Sequence, residues 1–129
     1  MPARIILVHD YQALVGELSA ALEAAGYSVA PFLDPMRALD VISSASTAEI
    51  LITKVDFGPG KPNGVALALM ARYRRPGIRI IFPAKPEMRE YTAHLGDFLA
   101  LPVRVPDVMD AVNRLLKNDP PEPAATISK

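Results

Sequence analysis

Few polar side chains in this sequence are placed where they could take part in a reaction or bind a ligand, and most of those stand at the ends of apolar runs. His9 and Asp10 follow the run IILV, and Thr53 with Lys54 lies near the end of a second run at 50–55. In an open α/β sheet, ligands and chemistry occupy the crevice outside the carboxyl ends of the strands. These four residues are therefore the first candidates for a functional site.

Composition excludes several other kinds of site. The chain has no cysteine, which removes disulfides and thiolate chemistry, and its two histidines, His9 and His94, lie too far apart to form a ligand-spaced pair. Fourteen basic and fourteen acidic residues give a formal net charge of zero, so charge predicts neither nucleic acid nor an anionic membrane as partner.

The location of the protein is predicted only from missing signals. The start MPARIILVHD carries one arginine and a short apolar run, which is too little for a signal peptide. No apolar run approaches the roughly 20 residues of a membrane helix. We expect a cytoplasmic protein with no membrane partner.

The elements that must position the candidate residues alternate between strand and helix. Short β-branched runs predict strands, and apolar residues spaced three or four apart predict helices. Pro83 should close the fourth strand, and the fourth helix is the weakest prediction because its segment is short and polar. The predicted strands are 5–8, 27–32, 50–55, 78–82 and 97–101, and the predicted helices are 12–25, one from 35, 65–73, 86–94 and one from 106.

This alternation predicts a single α/β domain over 1–117, followed by a proline-rich disordered tail over 118–129. Right-handed crossovers place helices on both faces of a parallel sheet, which gives a flavodoxin-like (βα)5 three-layer sandwich with strand order 2-1-3-4-5. Strands one and three are then neighbours. The residues that follow them should converge on one pocket, together with the ends of strands four and five.

The ordered set of segments resembles the receiver domain of bacterial two-component response regulators. The resemblance covers roughly 4–117, and it depends on the order and distance of the pieces more than on any one of them. The pieces are ILVHD, a leucine-spaced first helix ending in GY, EILITKV, NGVALA, IRIIF and DFLALPV.

The resemblance implies a pocket for phosphoryl transfer with most of its reactive groups replaced. In that family an aspartate after strand three accepts the phosphoryl group, two acids hold Mg²⁺, a hydroxyl ends strand four, and a lysine precedes the proline after strand five. The corresponding positions here are His9 and Asp10 for the acid pair, Lys54 for the acceptor, Ala84 for the hydroxyl, and Leu101 followed by Pro102 for the lysine and proline.

We therefore interpret the chain as a stand-alone, degenerate receiver that is not phosphorylated at the aligned site. It would be no enzyme, would have no cofactor and would not be expected to bind Mg²⁺. It would act in phosphorelay signalling by binding a histidine kinase or another two-component protein, or by dimerising.

The Lys54 ammonium should form an ion pair with Asp10 where metal and phosphate would otherwise meet. In a buried pair, loss of one partner would cost about 3–5 kcal/mol. The alternative is that Lys54 extends into solvent without a partner. His9 could act as a pH sensor beside Asp10, but a plain hydrogen bond at the strand end is the favoured interpretation.

Two other functions stay open at this point. Asp56 or Asp10 could serve as an unaligned phosphoacceptor. A small anionic ligand, such as a cyclic dinucleotide, could bind basic residues near the end of the third helix, although a solvated helix end is the favoured interpretation. Those residues are Arg72, Arg74, Arg75 and Arg79.

The region around the fourth helix, the fifth strand and the fifth helix is rather apolar. Such a patch is a candidate interface for a homodimer or a docked kinase. Its candidate residues are Leu95, Phe98, Val103, Val105 and Met109.

Overall fold

The computed structural model describes residues 4–44 and 48–117, so the predicted tail at 118–129 lies outside the described residues. Five strands and five helices alternate, with a short 3-10 turn before the fourth helix. The strands are β1 (Arg4–Val8), β2 (Ser28–Phe32), β3 (Ile50–Thr53), β4 (Arg79–Ala84) and β5 (Asp97–Ala100). The helices are α1 (Gln12–Ala24), α2 (Pro35–Ser43), α3 (Gly64–Arg74), α4 (Arg89–Thr92) and α5 (Val105–Leu116).

The sheet is parallel throughout, with strand order β2-β1-β3-β4-β5. The predicted flavodoxin-like fold and its strand order are confirmed. β1 lies beside β3 in a register that pairs Val8 with Thr53, so the segments that leave these two strands start side by side.

The core has two halves, one on each face of the sheet. Along β1, Ile6 and Val8 face one half, while Ile5 and Leu7 face the other, as the alternation of strand side chains requires. The first half is completed by α2 and α3, and the second by α1 and α5. Because β1 and β3 are covered on both faces, they read in the sequence as continuous apolar runs.

The helix starts follow local capping chemistry. The Asp34 carboxylate accepts a hydrogen bond from the Met36 amide at 3.0 Å, and Pro35 occupies the first turn of α2. Asn63 caps α3 in the same way, with its side-chain oxygen accepting from the Ala66 amide at 2.9 Å. The loop before α3 ends at this cap, which fixes where the helix begins.

At their carboxyl ends, three strands stop at a different residue than predicted. β3 ends at Thr53, two residues earlier than predicted, and β5 ends at Ala100. Conversely, β4 continues through Pro83, which pairs in register with Leu99. Pairing between β3 and β4 stops at Ile81, so on that side the proline removes no donor that a neighbouring strand needs.

The weakly predicted fourth helix is indeed short. A 3-10 turn at Pro86–Met88 leads into four residues of helix. The buried Thr92 hydroxyl donates to backbone carbonyls one turn back, at 3.3 Å to Met88 and 3.1 Å to Arg89. Within the described residues, no helix has the length and apolar character that crossing a membrane would require.

Candidate functional site

The two segments that carry the candidate residues are joined through their backbones. The Lys54 amide donates to the Val8 carbonyl at 3.0 Å, and the His9 amide donates to the Phe32 carbonyl at 3.1 Å. These bonds extend the sheet by one residue beyond β1 and β3. His9, Asp10 and Lys54 therefore lie side by side at the carboxyl ends of the strands.

Lys54 and Asp10 form the ion pair that the sequence predicted. The ammonium nitrogen Nζ donates to Asp10 Oδ1 at 2.8 Å. The side chains keep 29% and 42% of their surface exposed, so the pair is only partly shielded from water. The energetic cost that applies to a buried pair does not apply here, and screening by solvent reduces the contribution of this pair to stability.

The carboxyl of Asp10 is held in its charged form. Partial burial raises its pKa, but the hydrogen bond and the charge of Lys54 outweigh this effect and bring the pKa below its ordinary value. Asp10 is therefore a carboxylate at neutral pH, with one oxygen already engaged by an ammonium.

His9 is buried and serves as a hydrogen-bond acceptor. Its Nδ1 accepts from the Tyr11 amide at 3.1 Å, as expected for a histidine at a strand end. Burial and the nearby Lys54 charge lower the pKa of His9, and the Asp10 carboxylate only partly opposes them. The ring is therefore neutral at pH 7. Although its Nδ1 lies 3.8 Å from Asp10 Oδ1, the two side chains do not form an ion pair, because the ring carries no charge.

The backbone at Lys54 and Val55 is held in place by Gly64, the first residue of α3. The buried Thr53 hydroxyl donates to the Lys54 carbonyl at 2.8 Å, and the Gly64 amide donates to the Val55 carbonyl at 2.8 Å. A β-carbon on Gly64 would lie 1.9 Å from the Lys54 carbonyl oxygen. Only glycine fits at this point, and the Thr53 hydroxyl is occupied with the backbone.

The ends of β3, β4 and β5 meet around a small cavity of about 80 Å³, and the predicted residues His9, Asp10, Thr53 and Pro102 are not among those that line it. Three of the residues predicted to converge, Lys54, Ala84 and Leu101, line it, and the Leu101 amide donates to the Ala84 carbonyl at 3.0 Å. Pro102 follows through a cis peptide bond. The other lining residues are Val55, Asp56, Lys85 and Met88.

Sequence reasoning missed Lys85, which brings a second lysine to the cavity. Its position directly after β4 was the available signal, but the strand was predicted to end before Pro83. Asp56 stands in the loop beyond β3, as expected, where its exposed carboxylate accepts from the Gly58 amide at 2.9 Å.

The fold of this chain is similar to that of known receiver domains. No protein-family model matches the sequence, and no curated protein matches it. Among solved structures, a CheY-like response regulator receiver domain protein from Methanospirillum hungatei superimposes with a TM-score of 0.80 at 20% identity, covering 92% of this chain and 96% of that chain. A receiver protein from Sinorhizobium medicae gives 0.79 at 21% identity, over 90% of this chain and 95% of that chain. The chain has the receiver-domain fold.

A third receiver, from the hybrid histidine kinase CckA, has a TM-score of 0.73 at 27% identity, covering 88% of this chain and 99% of that chain. The candidate cavity of this chain thus lies at the edge of a receiver fold where its strands end.

The Mg²⁺ that receiver chemistry implies does not fit the residues present. Mg²⁺ prefers oxygen ligands in octahedral geometry. Here one of the two aligned positions is His9, whose Nδ1 is already a hydrogen-bond acceptor, and the Asp10 carboxylate is bound by Lys54. In the described parts of the chain, no group of three or more acidic or histidine side chains could hold a metal ion.

The predicted interface of the receiver fold needs one correction. Leu95 is only 6% exposed and belongs to the core, because the turn after α4 directs it inward. Phe98, Val103, Val105 and Met109 are half-buried, and the Arg89 guanidinium lies 4.6 Å from the centroid of the Phe98 ring. Among the described residues, the large apolar side chains most exposed to solvent are Tyr11, Leu33, Met36, Val41, Leu69, Met70, Tyr73 and Tyr91.

Proposed function

We propose that this chain is a receiver-like module of two-component phosphorelay signalling that works without phosphorylation at the aligned position. The observation that carries the proposal is the 2.8 Å contact between Lys54 Nζ and Asp10 Oδ1, at the edge where receivers keep their phosphoacceptor. An ammonium cannot accept the phosphoryl group in that chemistry, and its charge opposes binding of a divalent cation.

In this proposal the module is a binding protein and no enzyme. Its partner is a histidine kinase, a phosphotransfer protein, another response regulator or a second copy of the chain. The receiver fold supports this class of partner, and the Lys54–Asp10 pair supports a pocket that stays in one state whether or not the partner is active. The output therefore depends on the amount of partner bound and is independent of phosphorylation of this chain.

Treatment with acetyl phosphate and Mg²⁺ tests the proposal directly. We expect the intact mass of the protein to stay unchanged, and we expect Mg²⁺ alone to leave the melting temperature unchanged. A receiver that keeps its acceptor aspartate, treated in parallel, should gain one phosphoryl group. An adduct on this chain under the same conditions would overturn the proposal.

A second function, phosphorylation at Asp56, is favoured by one observation. Asp56 lines the same cavity as Lys54 and Lys85, so two cationic residues share the cavity with it. Any adduct should then disappear in Asp56→Asn and persist in Asp40→Asn, an exposed control on α2. Loss in Asp10→Asn instead would place the acceptor at Asp10.

A further inference from the structure

A second cavity lies at the amino ends of the strands, opposite to the carboxyl ends where the candidate site lies. It encloses about 240 Å³ and is lined by the start of β4, the end of α3 and the turn that leads into β5. Arg79 begins β4 and Asp97 begins β5, which places the cavity at the amino ends of these strands. Two guanidinium groups, those of Arg72 and Arg79, line it.

Arg72 is held in place by two backbone carbonyls. Its Nη2 donates to the Leu95 carbonyl at 2.8 Å and to the Ile78 carbonyl at 3.2 Å. Its Nε is buried and has no acceptor among the described residues. The guanidinium is therefore oriented by the protein, with part of its donor capacity unused.

The Arg79 guanidinium also has a buried donor nitrogen without an acceptor in the part of the chain that the structure describes. Its Nη1 is buried without an acceptor in the described ranges, while its backbone amide donates to the Glu49 carbonyl at 3.0 Å. A guanidinium keeps its charge at all physiological pH values and has only donors. Unpaired buried donors on a charged group are costly, so an acceptor that reaches both arginines would be stabilised.

The acidic groups near the cavity leave a cationic excess. The Asp97 carboxylate lines the cavity, but it forms an ion pair with Arg114. Glu49 is exposed and lines an adjoining cavity together with Arg75 and Arg79. Among the described residues, the one carboxylate that lines the cavity with Arg72 is therefore already paired with Arg114.

We infer that this cavity binds a small phosphate-type dianion through Arg72 and Arg79. Guanidinium groups bind phosphate oxygens in pairs of parallel hydrogen bonds, and a volume of 240 Å³ is several times the roughly 30 Å³ share of one water molecule. A phosphomonoester therefore fits as well as inorganic phosphate. The site involves neither Arg74 nor the candidate cavity at the other edge, so it is independent of the proposed signalling function.

The test is a titration of the full chain with inorganic phosphate, at ionic strength held constant with potassium chloride. Amide resonances of Leu95 and Gly96 and the Nε resonance of Arg79 report on the cavity. We expect saturable shifts at these positions. Arg79→Gln should weaken binding by about tenfold or more, since it removes a charged donor pair, whereas Arg37→Gln, an exposed arginine on α2, should bind like the wild type.

Shifts that stay linear with phosphate concentration, or equal affinity in Arg79→Gln, would overturn the inference. If Arg79→Gln does not fold, Arg79→Lys replaces it: this variant keeps the charge and loses the paired geometry, and unchanged affinity there would also count against the site. A parallel titration with glycerol phosphate separates the two sources of the ligand. Tighter binding than inorganic phosphate assigns the site to a phosphomonoester, and weaker binding assigns it to the free anion.

Discussion

At the scale of single residues, the contact between Lys54 and Asp10 determines the electrostatics of the candidate site. It places a cation where the receiver resemblance implies a metal and a transferred phosphoryl group. It also keeps Asp10 ionised, since the pKa of that carboxyl is lowered. The contact is partly open to water, which limits its contribution to the free energy of unfolding.

Replacing Lys54 by methionine should therefore have only a small effect on stability. We expect Lys54→Met to lower the free energy of unfolding by about 1 kcal/mol or less, with a smaller effect at high salt. Urea unfolding at low and high sodium chloride measures both. Lys61→Met is the matched control, because Lys61 lies 3.6 Å from Asp34 in a comparably exposed pair. A loss of about 3 kcal/mol or more, independent of salt, would contradict this picture.

His9 should make stability depend on pH in a defined direction. Its pKa is lowered in the folded state, so between that value and the unfolded value near 6.5 the unfolded chain binds more protons. Stability therefore falls as pH drops from 7.5 to 5.5, by at most ~1.4 kcal/mol per pH unit from this group.

Urea unfolding at the two pH values tests this expectation. His9→Asn, whose side-chain oxygen can still accept from the Tyr11 amide, should lose this part of the pH dependence. His94→Asn, at an exposed position, should behave like the wild type. Equal pH dependence in wild type and His9→Asn would show that His9 titrates with its ordinary pKa.

The pairing of Lys54 with Asp10 could be predicted from the sequence because strand order alone brings the ends of β1 and β3 together. The position of Leu95 could not. An apolar residue in a short polar segment looks exposed until the turn that directs it inward is known. Lys85 was missed for a similar reason, because the length of β4 depends on where its neighbour stops pairing.

At the scale of elements, the start of α3 sets the geometry of the site. Gly64 lets this helix approach the backbone of Lys54 so closely that no side chain fits between them. The sequence marks this helix start through Asn63, but the closeness of the approach comes from tertiary packing. The second close approach, of Gly96 to the Ile80 carbonyl, is equally hidden in the sequence.

Gly64→Ala should be strongly destabilising. The added β-carbon would lie 1.9 Å from a backbone oxygen, so the helix or the strand end must shift, at a cost of about 3 kcal/mol. Gly77→Ala is the control, since it has no neighbour within 4 Å and no positive φ, and it should change stability by about 1 kcal/mol or less. Urea unfolding of both variants tests the difference. Similar stabilities would mean that the packing at Gly64 adapts without cost.

At the scale of the whole molecule, the covered strands and the alternation of elements were enough to predict the fold. They were not enough to predict its surface. α3 carries apolar residues on both sides, with Leu67 and Ala68 in the core and Leu69, Met70 and Tyr73 in solvent. A helix without a polar face gives no signal of which side is buried.

We expect the chain to self-associate. Light scattering after size exclusion at high concentration should give twice the 13.9 kDa mass of the chain. Met109→Lys, on the half-buried surface with Val103 and Val105, should shift the protein to monomer, and Leu69→Lys on α3 should not. A monomer at every concentration would contradict the homodimer, and dissociation by Leu69→Lys alone would move the contact to α3.

Because β1 and β3 are covered on both faces, their backbone amides should be strongly protected from hydrogen exchange. Residues Ile5, Leu7, Leu51 and Ile52 expose 0% of their surface. We expect their amides to exchange hydrogen with solvent only when the whole domain unfolds. β2, at the edge and only half-covered, can separate locally. The slowest-exchanging amides should thus lie beside the candidate site, and the ends of β1 and β3 would be the last part of the domain to lose their arrangement.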